Sequence, residues 1–421
     1  MSGRVSHHHY TVRDVLSHVR MVLEGSVAMR AAARVTDILS DVVKLPLGTP
    51  QWSTIRLWLM RLGHYKLTRP KERADDWVWL IDHSVQIGSQ KCLMILGIRL
   101  SQLPAAGECL RYADLEPIEL LPVETSTKQI VYEQLEAATA KTGVPRAILD
   151  DHGADLHGGV ERFRQAHPQT IEIYDVKHKA ACLLKRRLQR DPRWAEFSRR
   201  VGQTKFQVQQ TELAFLMPPS QRSKARYMNL EPLIRWGQGT LRALDERPEA
   251  VLAHCSAERL ELKFGWLADY REALREWSEF VAVIETVLDF VREQGLYSGA
   301  GDDLKETLES LQLGSAGRRL AEELQAFVRD ESLKAHAGER LPGSTEVLES
   351  CFGKLKSLER EHSRSGFTGF VLSLCAVLAP TTAEVVGQAL QSSRTKEVLN
   401  WCHENLGLSV QSKRKLAYNP H

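Results

Sequence analysis

Between residues 77 and 175 the apolar residues of this chain change period, and that change limits its fold more than any other feature. On either side they recur at helical spacing; inside, short apolar runs alternate with turns. Trp77-Val-Trp-Leu-Ile-Asp82 and Lys91-Cys-Leu-Met-Ile-Leu-Gly-Ile-Arg-Leu100 read as two strands joined by a hairpin turn near Gly88. Residues 117–123 read as a third strand, 127–142 as an amphipathic helix, and 146–151 as a fourth strand. A helix over about 156–165 and a fifth strand over 170–175 follow, running into a basic helix. A three-strand meander followed by two strands joined through helices predicts an α/β fold, a mixed five-stranded sheet covered on both faces.

The flanks read as helical. Val12, Val15, Val19 and Val22 recur at helical spacing, as do Met29, Ala33 and Ile38, before Leu45-Pro-Leu-Gly-Thr-Pro50 breaks the pattern. Gln51 to Gly63 then forms a short helix, with Ser53 or Thr54 as its cap and Gly63 at its end. Ile55, Trp58, Leu59 and Leu62 make its buried stripe, leaving Thr54, Arg56 and Arg61 outward. Hydroxyl and arginine side chains near the start of a short helix suit a major groove, although any small helical domain could carry them. Residues 1–66 are therefore expected to be an all-α, helix-turn-helix-like DNA-binding domain. Residues 67–76 are a basic linker with Arg69, Lys71 and Arg73, and 77–180 the first part of the core. Residues 181–341 read as an all-helical insertion whose Trp194, Trp236, Trp266 and Trp277 belong to its core, with a loop over 297–302. The core resumes over 342–392, and a helix and basic tail occupy 393–421. The His7-His8-His9 run reads as a disordered start rather than a ligand set.

Charge is segmented. Residues 1–74 hold 12 Lys/Arg against 5 Asp/Glu, 75–176 hold 8 against 16, and 177–226 hold 13 against 3. Two basic blocks bracketing an acidic one suit phosphate backbones around a cation-binding centre. The seven cysteines include no CxxC pair, which disfavours a zinc ribbon or disulfide framework and fits a reducing cytoplasm. No stretch has the length and apolarity of a membrane span, and the N-terminus has no signal-peptide layout. No glycine-rich phosphate loop or nucleophile elbow is present.

Three acids stand out. Asp82 ends an apolar strand, where a carboxylate is costly unless paired or metal-bound. In Ile148-Leu-Asp-Asp-His-Gly-Ala-Asp155, Asp150 and Asp151 compete, because adjacent strand residues face opposite ways. Asp151 is preferred because Gly153, two residues on, lets the backbone bend away. Glu349 lies in Ser344-Thr-Glu-Val-Leu-Glu-Ser-Cys-Phe-Gly-Lys-Leu-Lys356, where Phe352 and Lys356 share its face and Glu346 is the competitor.

This order of acids resembles the DDE transposases and retroviral-type integrases, which share the RNase H-like fold. Asp151-His-Gly-Ala-Asp-Leu156 is similar to their second motif, commonly Asp-Asn-Gly-x-Glu-Phe. The segment from Glu349 to Lys356 is similar to the third-motif helix of bacterial insertion-sequence transposases, although no Tyr-Arg signature precedes it. Tyr174-Asp-Val-Lys-His-Lys179 resembles the Cys/Asp-x-x-His signature of several DDE superfamilies, the hAT group among them, where it precedes a helical insertion. The wide spacing from Asp151 to Glu349 requires such an insertion.

The resemblance implies a DNA transposase that cuts transposon ends and joins them to target DNA in the bacterial cytoplasm, at the nucleoid. Asp82, Asp151 and Glu349 would hold two Mg²⁺ ions, replaceable by Mn²⁺, one activating the nucleophile and one stabilising the leaving oxygen. His178, Asp175 and Lys356 would assist, His178 either orienting the scissile phosphate or simply bonding Asp175. Ser53, Thr54, Arg56, Arg61, Arg69, Lys71, Arg73, Lys177, Lys179, Lys185, Arg186, Arg187, Arg222, Lys224 and Arg226 are the expected contacts to double-stranded DNA. Joining two ends implies a homodimer or larger assembly, with no membrane partner. An RNase H-like nuclease without strand transfer would share the metal site, and a domesticated transposase would keep only DNA binding.

Overall fold

In a computed structural model of the chain, the described residues are 5, 8–44, 47–87, 90–220, 227, 230–360, 369–406, 408 and 410–418. They fall into two units, one formed by 1–173 with 344–421 and the other by 174–343.

The first unit is a mixed five-stranded sheet with helices on both faces. Its strands are β1 (Trp77–Ile87), β2 (Gln90–Arg99), β3 (Glu116–Val123), β4 (Ala147–Asp150) and β5 (Ile171–Tyr174), in the order β3-β2-β1-β4-β5. β1 and β2 pair antiparallel, as do β2 and β3, whereas β4 joins β1 in parallel. The period-2 apolar pattern fixes the faces. Trp77, Trp79, Ile81, Leu93, Ile95, Ile118 and Ile148 pack against Val131, Leu135 and Ala138 of α4 (Lys128–Thr142) and Leu156, Val160 and Phe163 of α5 (Ala154–Ala166). Val78, Leu80, Met94, Leu96, Leu120 and Leu149 alternate onto the other face and are equally buried. The turn expected near Gly88 lies outside the described residues.

The N-terminal helices are α1 (Val12–Leu23), α2 (Met29–Val42) and α3 (Trp52–Thr68). They do not stand apart as a separate domain over 1–66, because they cluster with the sheet in the first unit. α3 packs along α15 (Leu372–Val377) and touches β3 and α16 (Ala383–Ser392). Gly63 does not end α3, which runs one further turn and more, to Thr68. Instead Gly63 lets α15 approach: a Cβ there would stand 1.7 Å from the carbonyl oxygen of Leu372. The first unit also contains α14 (Glu346–Arg360), α17 (Thr395–Leu406) and α18 (Val410–Tyr418). His8, expected in a disordered start, bonds through Nε2 to the carbonyl of Leu390 at 3.2 Å.

The second unit begins at Tyr174, slightly before the expected start at 181. It contains α6 (Val176–Arg190), α7 (Pro192–Val208), α8 (Glu231–Glu246), α9 (Glu249–Leu252), α10 (Ala257–Phe264), α11 (Arg271–Gln294), α12 (Ala300–Glu309) and α13 (Ser315–Ser332). Where a loop was expected over 297–302, Leu296–Tyr297 forms a short strand, β6, paired with β7 (Arg340–Leu341), and α12 starts at Ala300. Trp194 and Trp277 are buried edge to face, with ring centroids 5.1 Å apart. Trp236 and Trp266 are half-buried, and their indole N–H groups donate to the Leu216 carbonyl and the Thr204 hydroxyl.

Candidate active site

Alternation along a strand decides which acids share a face. Leu80 on β1 and Leu149 on β4 are direct partners in the parallel ladder. Asp82 continues the alternation of β1 onto the face opposite α4 and α5, and strand parity continued one residue past the end of β4 would direct Asp151 to the same face. Asp82 also stands across from Met94 of β2, on that face. A bulge interrupts the β1–β2 register just beyond Asp82, where a strand is easily bent away from its partner. Asp150 has the parity of Ile148 and lies on the α4–α5 face, fully buried.

The turn after β4 differs from expectation in which residue bends. Gly153 has an ordinary negative φ and caps α5, whereas His152 adopts the left-handed conformation, with φ 56°. Two aspartates hold it: the His152 N–H donates to Asp150 Oδ1 at 3.0 Å, and the Gly153 N–H donates to Asp151 Oδ1 at 2.8 Å. Glycine serves here by close approach, because a Cβ at 153 would sit 3.1 Å from Asp151 Oδ1.

α14 borders β1 and α15, and none of its residues is in the cluster packed between the sheet and α4 and α5. Leu348, Cys351, Phe352, Leu355 and Leu358 form its buried stripe. Burial pushes the Cys351 thiol up to about 12, with the neighbouring Cys375 thiol adding to the shift. At roughly 100° per residue, Glu349 lies at the edge of this stripe and Glu346 nearly opposite it. Glu349 and Glu346 are both half-buried, and Lys356, two turns beyond Glu349, is exposed. The helix is anchored by a bond between the Ser350 and Tyr112 hydroxyls and by Lys354 donating to the Ser26 hydroxyl.

A polar set unnoticed in the sequence adjoins the strand ends. The His83 ring contacts the carboxylate of Asp155 at 3.5 Å and the hydroxyl of Ser126 at 3.3 Å, and Lys91 reaches the same carboxylate at 3.5 Å. Burial lowers the His83 pKa against the pull of Asp155 and Asp151. Burial would raise that of Asp155, but the Ser126 hydroxyl, His83 and Lys91 outweigh it and hold the carboxyl below its ordinary value. The signal available in the sequence was Asp155 in the first turn of a helix, where acids are common for dipole reasons alone.

The expected DNA contacts divide. Arg61 is not outward. It is buried, and it donates to the carbonyls of Ser393 at 2.6 Å and Leu390 at 2.7 Å, closing the C-terminal end of α16. Arg56 lies over the Phe370 ring at 5.6 Å, and burial lowers its pKa. Neither Ser53 nor Thr54 caps α3, whose cap position is Gln51; Ser53 is exposed and Thr54 half-buried. Arg69 and Lys71 both pair with Glu116, and the Lys71 side chain is 2% exposed, so the basic linker folds onto β3. Arg73 is exposed and bonds the Ala140 carbonyl.

Asp175 and His178 belong to the second unit. Asp175 is the N-cap of α6, its Oδ1 accepting from the N–H groups of Lys177 and His178. Lys179 lies over the rings of Tyr174 and Phe327, and Arg187 pairs with Glu323 at 2.7 Å. Lys177 is half-buried, and Lys185 and Arg186 are exposed. Arg222, Lys224 and Arg226 lie outside the described residues. Among the described residues, no helix is long and apolar enough to cross a membrane.

Comparison with known proteins finds no family model that matches the chain and no curated protein that matches its sequence.

Proposed function

We propose that this chain is a DNA transposase of the DDE type with an RNase H-like core, cutting transposon ends and joining them to target DNA. One observation carries the reading: β1 and β4 are adjacent parallel strands whose carboxyl ends lead into Asp82 and Asp151, and α14, which carries Glu349, borders β1. Ligands and reacting groups in α/β sheets gather at such strand ends. The sheet order and the helical unit inserted between β5 and α14 support the same reading.

The donor set fits hard divalent cations, for which carboxylate oxygens are the preferred ligands. Asp82, Asp151 and Glu349 would hold two Mg²⁺ or Mn²⁺ ions. When bound, such a pair activates an attacking hydroxyl and stabilises the leaving oxygen of a phosphodiester. The chain's own contribution is to hold the three acids in place. The Gly153 N–H orients the Asp151 carboxylate, and the buried stripe of α14 keeps Glu349 at its edge. Lys356, along that edge, is suited to a DNA phosphate. By the resemblance alone, His178 and Asp175 would be auxiliary residues, and Lys185 and Arg186 would make sequence-independent phosphate contacts. Two DNA ends call for a dimer or larger assembly acting at the bacterial nucleoid.

The burial of Arg61 and the half-buried position of Arg56 over the Phe370 ring favour one second reading. With α3 built into the core, end recognition loses its expected helix, and an RNase H-like nuclease without strand transfer shares everything else. Incubating the purified protein with end-bearing duplex, target plasmid and Mn²⁺ separates the two. Joined products that disappear in Asp82→Asn support the transposase; nicks without joining support the nuclease; no metal-dependent cleavage on any substrate overturns both.

A further inference from the structure

The turn that carries Asp151 also builds a second cluster of metal-ligating atoms, with a different donor chemistry. His152 follows β4, His157 lies in the first half of α5, and Glu172 is on β5. Their ligand atoms all fall within 4.8 Å of one another. His157 Nδ1 stands 2.7 Å from Glu172 Oε1, and His152 Nε2 stands 3.4 Å from the same oxygen. The two imidazole rings are stacked, with centroids 4.4 Å apart and planes inclined by 28°. Asp150 Oδ1 is 3.8 Å from His152 Nε2, which brings a second carboxylate to the edge of the group.

A tetrahedral Zn²⁺ about 2.0–2.1 Å from each nitrogen and oxygen requires neighbouring ligand atoms about 3.4 Å apart. The His152–Glu172 separation already has that value, and the His157–Glu172 contact needs to open by well under 1 Å. Glu172 is 5% exposed, and a carboxylate so deeply placed is costly without a strong counter-charge. Arg164 Nη1 lies 3.5 Å from the other carboxylate oxygen, Oε2, leaving Oε1 directed at the two histidines. Imidazole nitrogens with carboxylate oxygens select a borderline transition metal such as Zn²⁺ over Mg²⁺.

The geometry points to a Zn²⁺-class site formed by His152, His157 and Glu172, with the Asp150 carboxylate or a water completing the shell. Its place in the fold suggests what it does. His152 is the left-handed residue of the turn and the immediate neighbour of Asp151, so an ion bound there ties the end of β4 to α5 and β5. It is a structural clamp behind the turn, and it does not depend on the transposase reading.

The test uses the full chain, stripped with EDTA and titrated with Zn²⁺ by calorimetry and with Co²⁺ by visible absorption. Wild type is expected to bind a single equivalent, with the intense visible bands of tetrahedral Co²⁺. His157 is half exposed, so His157→Ala is expected to fold normally and bind at least tenfold more weakly, while His157→Cys, which restores a ligand, retains binding. Asp151→Asn/Glu349→Gln, which dismantles the proposed Mg²⁺ site, is expected to keep both the Zn²⁺ equivalent and the Co²⁺ spectrum. No Zn²⁺ binding by wild type, or equal binding by wild type and His157→Ala, overturns the inference. So does binding lost only in the double variant, because the ion would then sit among the DNA-processing carboxylates.

Discussion

Leu80 and Leu149 face each other across the parallel β1–β4 ladder, and their pairing decides the chemistry available two residues later. Continued past this pair, strand parity would direct Asp82 and Asp151 to one face and Asp150 to the other. A slip by one residue would exchange Asp151 for Asp150 and turn the apolar set of β4 inside out. Burial of Ala147, Ile148, Leu149 and Asp150 on both faces opposes such a slip.

The α14 stripe separates the two candidate glutamates. Glu349→Gln is expected to abolish metal-dependent DNA cleavage, falling at least about a hundredfold, since a metal-bound carboxylate contributes several kcal/mol at the transition state. Glu346→Gln, on the side away from the buried stripe, is expected to stay within about threefold, a change of less than 1 kcal/mol. Single-turnover cleavage of a labelled duplex measures both. Equal losses would place the third acid elsewhere.

Arginines in the first and second units are expected to behave differently toward DNA. Arg61→Ala removes two charge-assisted bonds to the end of α16, so it should lower stability by about 2–4 kcal/mol in denaturant unfolding. The salt dependence of DNA affinity should not change. Arg186→Ala, at an exposed position of α6, should leave stability within about 0.5 kcal/mol and reduce the slope of log affinity against log salt by about 1. A reduced slope for Arg61→Ala would return α3 to the DNA surface.

The strands were legible because their apolar runs are short, turn-bounded and rich in branched and aromatic residues. Trp77 to Ile81 and Leu93 to Leu96 announce their two buried faces without help from the rest of the chain. The acid pair Asp150 and Asp151 was legible only as an alternative, because parity is absolute within a strand but its origin depends on the partner's register. α3 was misread for a different reason. Arg61 reads as outward in the sequence because buried cations are rare, and nothing local marks Lys66 as buried either. The carbonyls that satisfy them belong to the ends of α15 and α16, more than three hundred residues later, and no local pattern reports such a distant acceptor. Gly63 likewise reads as a helix stop in the sequence, whereas in the fold it permits the approach of another backbone. The cluster of His152, His157 and Glu172 was invisible because its histidines lack a recognised ligand spacing and its carboxylate sits on another strand.

Gly63 gives a direct test of that approach. Gly63→Ala forces a methyl group to within 1.7 Å of the Leu372 carbonyl oxygen unless the helices separate. An overpacked core of this kind costs about 1–3 kcal/mol, a fall of roughly 2–12 °C in melting temperature for a unit of this size. Gly202→Ala, in α7 with nothing within 4 Å of the added carbon, is the control and should be neutral or slightly stabilising.

Lys66 sets a pH dependence that the same packing explains. Its ammonium is fully buried in the first unit and donates to the carbonyls of Ala376, Leu378 and Ala379 and to the Thr381 hydroxyl, closing the end of α15. Burial brings its pKa from 10.5 down to about 7, with the Arg69 cation adding to the fall and Glu116 opposing it. Between those two values the unfolded chain holds a proton that the folded chain has released, so raising the pH favours the folded state. Stability of the wild type is thus expected to climb between pH 7 and pH 10.5 relative to Lys66→Met, and the difference to level off below pH 7. Lys66→Met should itself be destabilised at pH 7, because removing a buried donor leaves carbonyls unsatisfied at about 1–3 kcal/mol each. Urea unfolding of both proteins across this range measures the two effects together. A parallel pH dependence in the two would mean that Lys66 stays protonated throughout, its four oxygen partners outweighing the loss of water around it.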